Sequence, residues 1–259
     1  MPDDNSGRAE RASAAQTGEL SSLIHGTDEQ ALLALLENPA VEEPHIIQML
    51  ERLDLSANVL AAIAEKGKWT SSEGVRLRLA RHPRTPRRHA MALLRQLYLF
   101  DLVRLSLLPS TPAEIKRVAE ELIVTRVPHL PVGQKLTLAR RGTSRIAGAL
   151  LAEGHAQAIK LALANPFLTE SQVLKVLAKA GVPERVVAAI AQHPKWSVQY
   201  NVRVALIRNP HTPVPSALAF LPNLTLRDLK ELATLEGVTP HVRRYIQREL
   251  ARRVGTERA

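Results

Sequence analysis

The chain repeats itself. Residues 30–102 align with 157–229 at a constant offset of 127 without a gap, and about 28 of the 73 aligned pairs are identical. Trp69 falls on Trp196, Asn38-Pro39 on Asn165-Pro166 and Arg76 on Arg203. Pro83-Arg84-Thr85-Pro86 falls on Pro210-His211-Thr212-Pro213. Self-similarity at such a period marks stacked structural units, each unable to bury its apolar face alone. A core of that kind is a ribbon that grows with length, so chain length does not count domains here.

Within each copy the apolar residues recur at helical spacing. Leu32, Leu35 and Leu36 share one face, as do Ile159, Ala162 and Leu163 in the second copy, and Val75/Leu79 and Val202/Leu206 pair at i, i+4. Alternating Val/Thr/Tyr segments are missing, so strands are not expected. Aromatics are only 3% of the chain, which leaves Leu, Ala, Val and Ile to build the core. The spacing predicts about sixteen short helices between residues 28 and 252.

The breaks between them carry Pro, Asn, Thr and Ser. In Asn209-Pro210-His211-Thr212-Pro213, Asn209 is expected to end a helix in the left-handed conformation and Pro210 to block its continuation. Thr212 is expected to cap the next helix, with Pro213 at its first position. At a second joint Thr70 and Ser197 are the expected caps, each directly after its Trp. Joints this short force neighbouring helices to pack as hairpins or sharp bends.

Short helix pairs with Asn-Pro turns and Thr-Pro restarts resemble HEAT-like repeats and the related leucine-rich-repeat-variant solenoids. Asn38-Pro39, Asn165-Pro166, Asn209-Pro210, Thr212-Pro213 and the Val-Arg steps at 75–76, 202–203 and 242–243 carry the resemblance over about residues 28–252. It implies an all-α, right-handed superhelix of helical hairpins. The expected organisation is a disordered acidic tail (1–20), a first half (21–126), connecting helices that continue the solenoid (127–154) and a second half (155–255). Leucine-rich-repeat-variant proteins can carry a cysteine-ligated iron–sulfur cluster. This chain has no Cys, which removes that cluster, disulfides and thiol nucleophiles together.

The opening Met1-Pro-Asp-Asp-Asn has neither a basic start nor an apolar core, and no apolar run reaches membrane length. A cytoplasmic protein, with a monomer favoured, is the expectation. The net charge of +10 is unevenly spread, because residues 1–60 hold eleven acids and three bases. The basic remainder attracts polyanions, and the acidic head is placed to mask it.

Candidate residues fall into three groups. Trp69 and Trp196 are either stacking platforms or wedges at short joints; their recurrence favours wedges. Arg76/Arg203 and Arg81/Arg208 recur too, and fit bonding of helix C-terminal carbonyls. The third group is unrepeated: Arg76, Arg78, Arg81, Arg84, Arg87, Arg88 and Arg95 lie in a stretch without an acid from Gly74 to Phe100, and the partners of Arg84, Arg87 and Arg88 are His211, Val214 and Pro215. With Arg203, they form the expected macromolecule-binding surface, since arginine forks onto phosphates and carboxylates.

The histidines are scattered and no phosphate loop or nucleophile motif occurs, so no catalytic, metal or cofactor residues are assigned. Asp101 and Asp228 raise a resemblance to HEAT-like alkylpurine DNA glycosylases, but each sits in the first turn of a helix, where a carboxylate complements the dipole. The expected function is therefore a non-catalytic scaffold or adaptor for another protein. A nucleic-acid-binding solenoid is the alternative.

Overall fold

The structure, a computed structural model, describes Ala12, Ala15 and residues 17–256. Among these residues the regular elements are eighteen α-helices and two 3-10 turns, with no strand. The all-α expectation holds. No described helix is long and apolar enough to cross a membrane. The chain divides into two compact units, before and after Ile123/Val124.

The first unit contains α1 (Thr17–Ile24), α2 (Glu29–Leu35), α3 (Glu43–Leu50), α4 (Ala57–Glu65), the one-turn α5 (Gly67–Thr70), α6 (Glu73–Arg81), α7 (Arg87–Gln96) and α8 (Leu99–Leu107). It also holds most of α9 (Ala113–Arg126). Helices α1, α3 and α6 pack side by side as one row, and α2, α4 and α7 as another. Leu35, Ile46, Met49, Leu60, Ile63, Leu79 and Leu94 are fully buried between them. Each such side chain contributes about 1.5–3 kcal/mol of burial.

The second unit repeats the plan. After a 3-10 turn (Val127–His129) come α10 (Val132–Arg141), α11 (Ser144–Glu153), α12 (Ala156–Leu163), α13 (Glu170–Leu177), α14 (Glu184–Gln192) and α15 (Tyr200–Arg208). Then follow α16 (Val214–Phe220), a second 3-10 turn (Leu221–Asn223), α17 (Leu226–Thr234) and α18 (Pro240–Thr256). Helices α11, α13, α15 and α17 form the row equivalent to α1–α3–α6, and α10, α12 and α14 stack behind it.

Asn38 and Asn165 are the clamps between successive hairpins. The Asn38 amide donates to the carbonyls of Ala12 (2.9 Å) and Ala15 (3.0 Å), and its oxygen accepts from the Ala40 N–H (2.8 Å). Asn165 donates to Ala139 (2.8 Å) and Gly142 (3.0 Å) and accepts from Phe167 (2.7 Å). These partners are themselves 127 residues apart, so the duplication reaches back to Ala12, beyond the stretch where identity shows it. Ala12 and Ala15 are buried, and α1 already begins at Thr17. The rest of the tail expected over 1–20, residues 1–11, 13, 14 and 16, lies outside the described residues.

The joints are built differently from the expectation. Asn209 ends α15 in extended backbone (φ −85°, ψ 122°), and only Gly154 and Gly181 have positive φ among the described residues. The Asn209 side chain, not its backbone, satisfies the turn. Thr212 does not cap α16; its hydroxyl donates backwards to the Leu206 carbonyl (2.5 Å), and Pro213 takes the cap position. Thr85 does the same to Leu79 (2.7 Å). A buried hydroxyl pays for its desolvation most directly by bonding the helix carbonyl that the Pro leaves open. The caps of α6 and α15 are Ser72 and Gln199, not Thr70 and Ser197, because each Trp sits in an extra turn that delays the helix start.

Candidate functional site

The arginines singled out in the sequence are engaged within the chain. Arg76 donates to the carbonyls of Thr70 (2.7 Å) and Ser71 (2.9 Å), and Arg203 to that of Ser197 (2.7 Å). These repeated arginines hold the open carbonyls of the Trp turn. Among the described residues Arg81 and Arg208 bond no helix C-terminal carbonyl, contrary to expectation. They reach carboxylates on neighbouring helices: Arg81 joins Arg78 on Glu51 (3.5 and 2.8 Å), and Arg208 pairs with Glu231 (2.5 Å).

The unrepeated arginines are engaged as well. Arg84 donates to the Asp54 carbonyl (2.8 Å), Arg87 pairs with Glu114 (2.7 Å), Arg88 contacts Glu65 (3.3 Å), and Arg95 is not free either. The acid-free stretch in the sequence finds its acids on other helices, which linear charge counting does not see. Exposed pairs of this kind are weak, about 0–1 kcal/mol each. They nevertheless lower the field that Arg78, Arg81, Arg87 and Arg88 project. At the C-terminal end, Arg253 donates to the carbonyls of Leu221, Pro222 and Leu224, and Arg252 bonds Glu249.

Trp69 and Trp196 are 3% and 2% exposed, so neither is a surface platform. Each carries a lysine over its ring at 4.2 Å, Lys68 and Lys195. Asp101 and Asp228 lie in first turns, of α8 and α17. Asp228 accepts from the Tyr200 hydroxyl and the Thr225 hydroxyl, which with the nearby cations holds its carboxyl below the usual carboxylate range.

Three further cations lie outside these internal pairs. Arg145 on α11, Lys175 on α13 and Lys179 just beyond it line one depression with Gly148 and Gln172. No side-chain hydrogen bond or ion pair joins any of the three to a described residue. Gly148 is needed beneath: a Cβ there would lie 2.4 Å from the Gln172 side chain. A signal was present in the sequence. Residues 122–183 hold only two acids, Glu153 and Glu170, against eight bases. The first-copy counterparts of Arg145 and Lys175 are Gly18 and Gln48.

No protein family, curated protein or solved structure matches the chain.

A second unrepeated feature is apolar. Tyr98 and Phe100, at the start of α8, are 63% and 49% exposed. Their second-copy counterparts are Thr225 and Arg227. The fold therefore does not require aromatic residues at these positions.

Proposed function

We propose that this chain is a non-catalytic adaptor of the HEAT-like type, whose stacked hairpins hold a rigid surface for another protein. The observation that carries it is the exposed pair Tyr98 and Phe100, present in one copy of the repeat and replaced by polar residues in the other. Aromatic side chains are enriched at the centres of protein interfaces, where one or two supply most of the binding energy. Right-handed superhelical stacking of the hairpins and a cytoplasmic location belong to the same reading.

The test is affinity capture on the full chain from nuclease-treated extract, run beside Tyr98→Ala/Phe100→Ala. A defined protein retained by the wild type and lost from the double variant supports the proposal. The two substitutions are exposed, so both proteins keep the same melting temperature. Identical profiles from the two sink the assignment of this surface.

Nucleic-acid binding through Arg84, Arg87 and Arg88 is weakened by their internal partners. A separate surface supports a nucleic-acid ligand on other grounds.

A further inference from the structure

Both copies carry the same groove in the same row of helices, and they fill it differently. In the first unit the groove between α3 and α6 measures about 200 Å³, and the Glu51–Arg78 bridge occupies its wall. The aligned residues in the second unit are Ala178 and Ala205, and there the groove between α13 and α15 opens to about 500 Å³. Lys179 lines both this groove and the depression of Arg145 and Lys175, so the two adjoin at that residue.

The charge follows the same division. Arg52, the first-copy counterpart of Lys179, donates to the carbonyls of Ile24 and Gly26 and bonds Asp54. Lys179 has no such partner among the described residues. At the far wall Arg208 is paired with Glu231, whereas Arg145, Lys175 and Lys179 have no bonded partner among the described residues.

We infer that this groove of the second unit binds the phosphate backbone of a nucleic acid. A groove adjoining a depression that holds three cations without partners among the described residues fits a chain of regularly spaced anions. Lys175 on α13 and Lys179, two residues beyond its end, line the same depression. An acidic protein surface is the poorer fit, because protein interfaces are depleted in lysine and rich in aromatics. No Phe, Tyr or Trp lines either part of the groove. Without stacking residues the contact is to phosphate and sugar and carries little sequence preference. Retaining alanine at both 178 and 205 is what keeps the channel open. This inference goes beyond the adaptor reading and uses a different surface.

The test uses the full chain and a fluorescein-labelled oligonucleotide of mixed sequence, single-stranded and duplex, with anisotropy followed between about 50 and 200 mM salt. Wild-type affinity falls steeply with salt. Arg145→Ala/Lys175→Ala/Lys179→Ala weakens binding and removes about one unit of log–log salt slope per cation. Ala178→Glu/Ala205→Arg, which rebuilds the first-copy bridge, weakens binding while leaving those three cations in place.

Unchanged affinity and slope in the triple variant overturn the inference, as does wild-type binding by the refilled variant. Polyglutamate that displaces the oligonucleotide at lower concentration than an unlabelled oligonucleotide of equal charge also overturns it, in favour of an acidic protein. None of these outcomes bears on Tyr98 and Phe100, so failure here leaves the adaptor reading intact.

Discussion

His82 and Asn209 sit at equivalent turns, and each joins the N–H two residues on to a carbonyl near the end of the preceding helix in its row, with different chemistry. Asn209 accepts from the His211 N–H through Oδ1 (3.0 Å) and donates to the Leu177 carbonyl through Nδ2 (3.2 Å). His82 accepts from the Arg84 N–H through Nδ1 (3.2 Å) and presents Nε2 to the Arg52 carbonyl (2.7 Å). That geometry assigns the Nε2–H tautomer, because Nδ1 must stay bare to accept. Protonation places a second donor against the Arg84 N–H.

This relationship makes one turn sensitive to pH. Burial is the main cause that lowers the His82 pKa below the usual 6.5; the Arg84 and Arg81 cations lower it too, against the Arg52 carbonyl and Asp54. With the folded value depressed, the unfolded chain binds the proton first as pH falls. The stabilising contribution is therefore complete above 6.5 and is lost as pH drops through that value toward the folded one. Urea unfolding across this range should show a smaller loss for His82→Asn than for wild type. Some loss remains in the variant, since burial and Lys195 lower the His193 pKa as well. Equal losses would show that His82 titrates without consequence.

Asn38 and Asn165 should be among the costliest polar residues to remove. Each is nearly fully buried, donates to two carbonyls and accepts from one N–H. Alanine leaves all three backbone groups without this partner, and the penalty for unsatisfied buried groups exceeds the net worth of the bonds. Asn165→Ala is expected to destabilise the chain by about 2–4 kcal/mol. The shift in urea midpoint at constant m-value measures it. Asn165→Asp tests the same point, because Asp keeps the acceptor but loses both donations.

How much of this was legible can be argued residue by residue. Helical spacing and Pro-marked joints disclosed the all-α fold, because both act locally along the chain. Asn38 and Asn165 were visible as repeated, yet their partners 23 and 26 residues away were not, since a side-chain amide reaches across hairpins that sequence cannot dock. Arg87 and Arg88 drew attention for the same reason. Their acids, Glu114 and Glu65, are distant in sequence and close in space. The unrepeated charge at Arg84, Arg87 and Arg88 is engaged within the chain, but other differences between the copies are not. Those at Gly18/Arg145, Gln48/Lys175, Glu51/Ala178 and Arg78/Ala205 mark the open groove.

The two tryptophans are equivalent in sequence and unequal in bonding. The Trp196 indole N–H donates to the Leu163 carbonyl at 2.9 Å, whereas the buried Trp69 N–H has no acceptor among the described residues. Replacement by Phe removes similar volume at both sites. At 196 it also strands a buried carbonyl, while at 69 it removes an unpartnered donor. Trp196→Phe should therefore cost about 1 kcal/mol more than Trp69→Phe. Denaturant unfolding of the two single variants checks the difference, and equal costs would mean the Leu163 bond contributes nothing net.

Glu73 and Tyr200 are also counterparts, and each faces an Asp in the first turn of a later helix, Asp101 of α8 and Asp228 of α17. Tyr200 donates its hydroxyl to Asp228, an attractive pair. Glu73 is hydrogen-bonded to Asp101, and that neighbour, ahead of desolvation, raises its pKa above the usual 4.5. A raised carboxyl means the folded chain binds the proton more tightly than the unfolded one. The contribution is present below 4.5 and is lost as pH rises through the folded value, where two carboxylates repel. Glu73→Tyr copies the second-half arrangement and removes the repulsion. The variant should be more stable than wild type at neutral pH, with the advantage shrinking as pH falls toward 4.5. Because Glu73 is exposed, the gain is small and best read as a difference in melting temperature between the two proteins at each pH. A variant advantage that stays constant with pH would assign it to the tyrosine ring's packing and remove the carboxyl pair from the account.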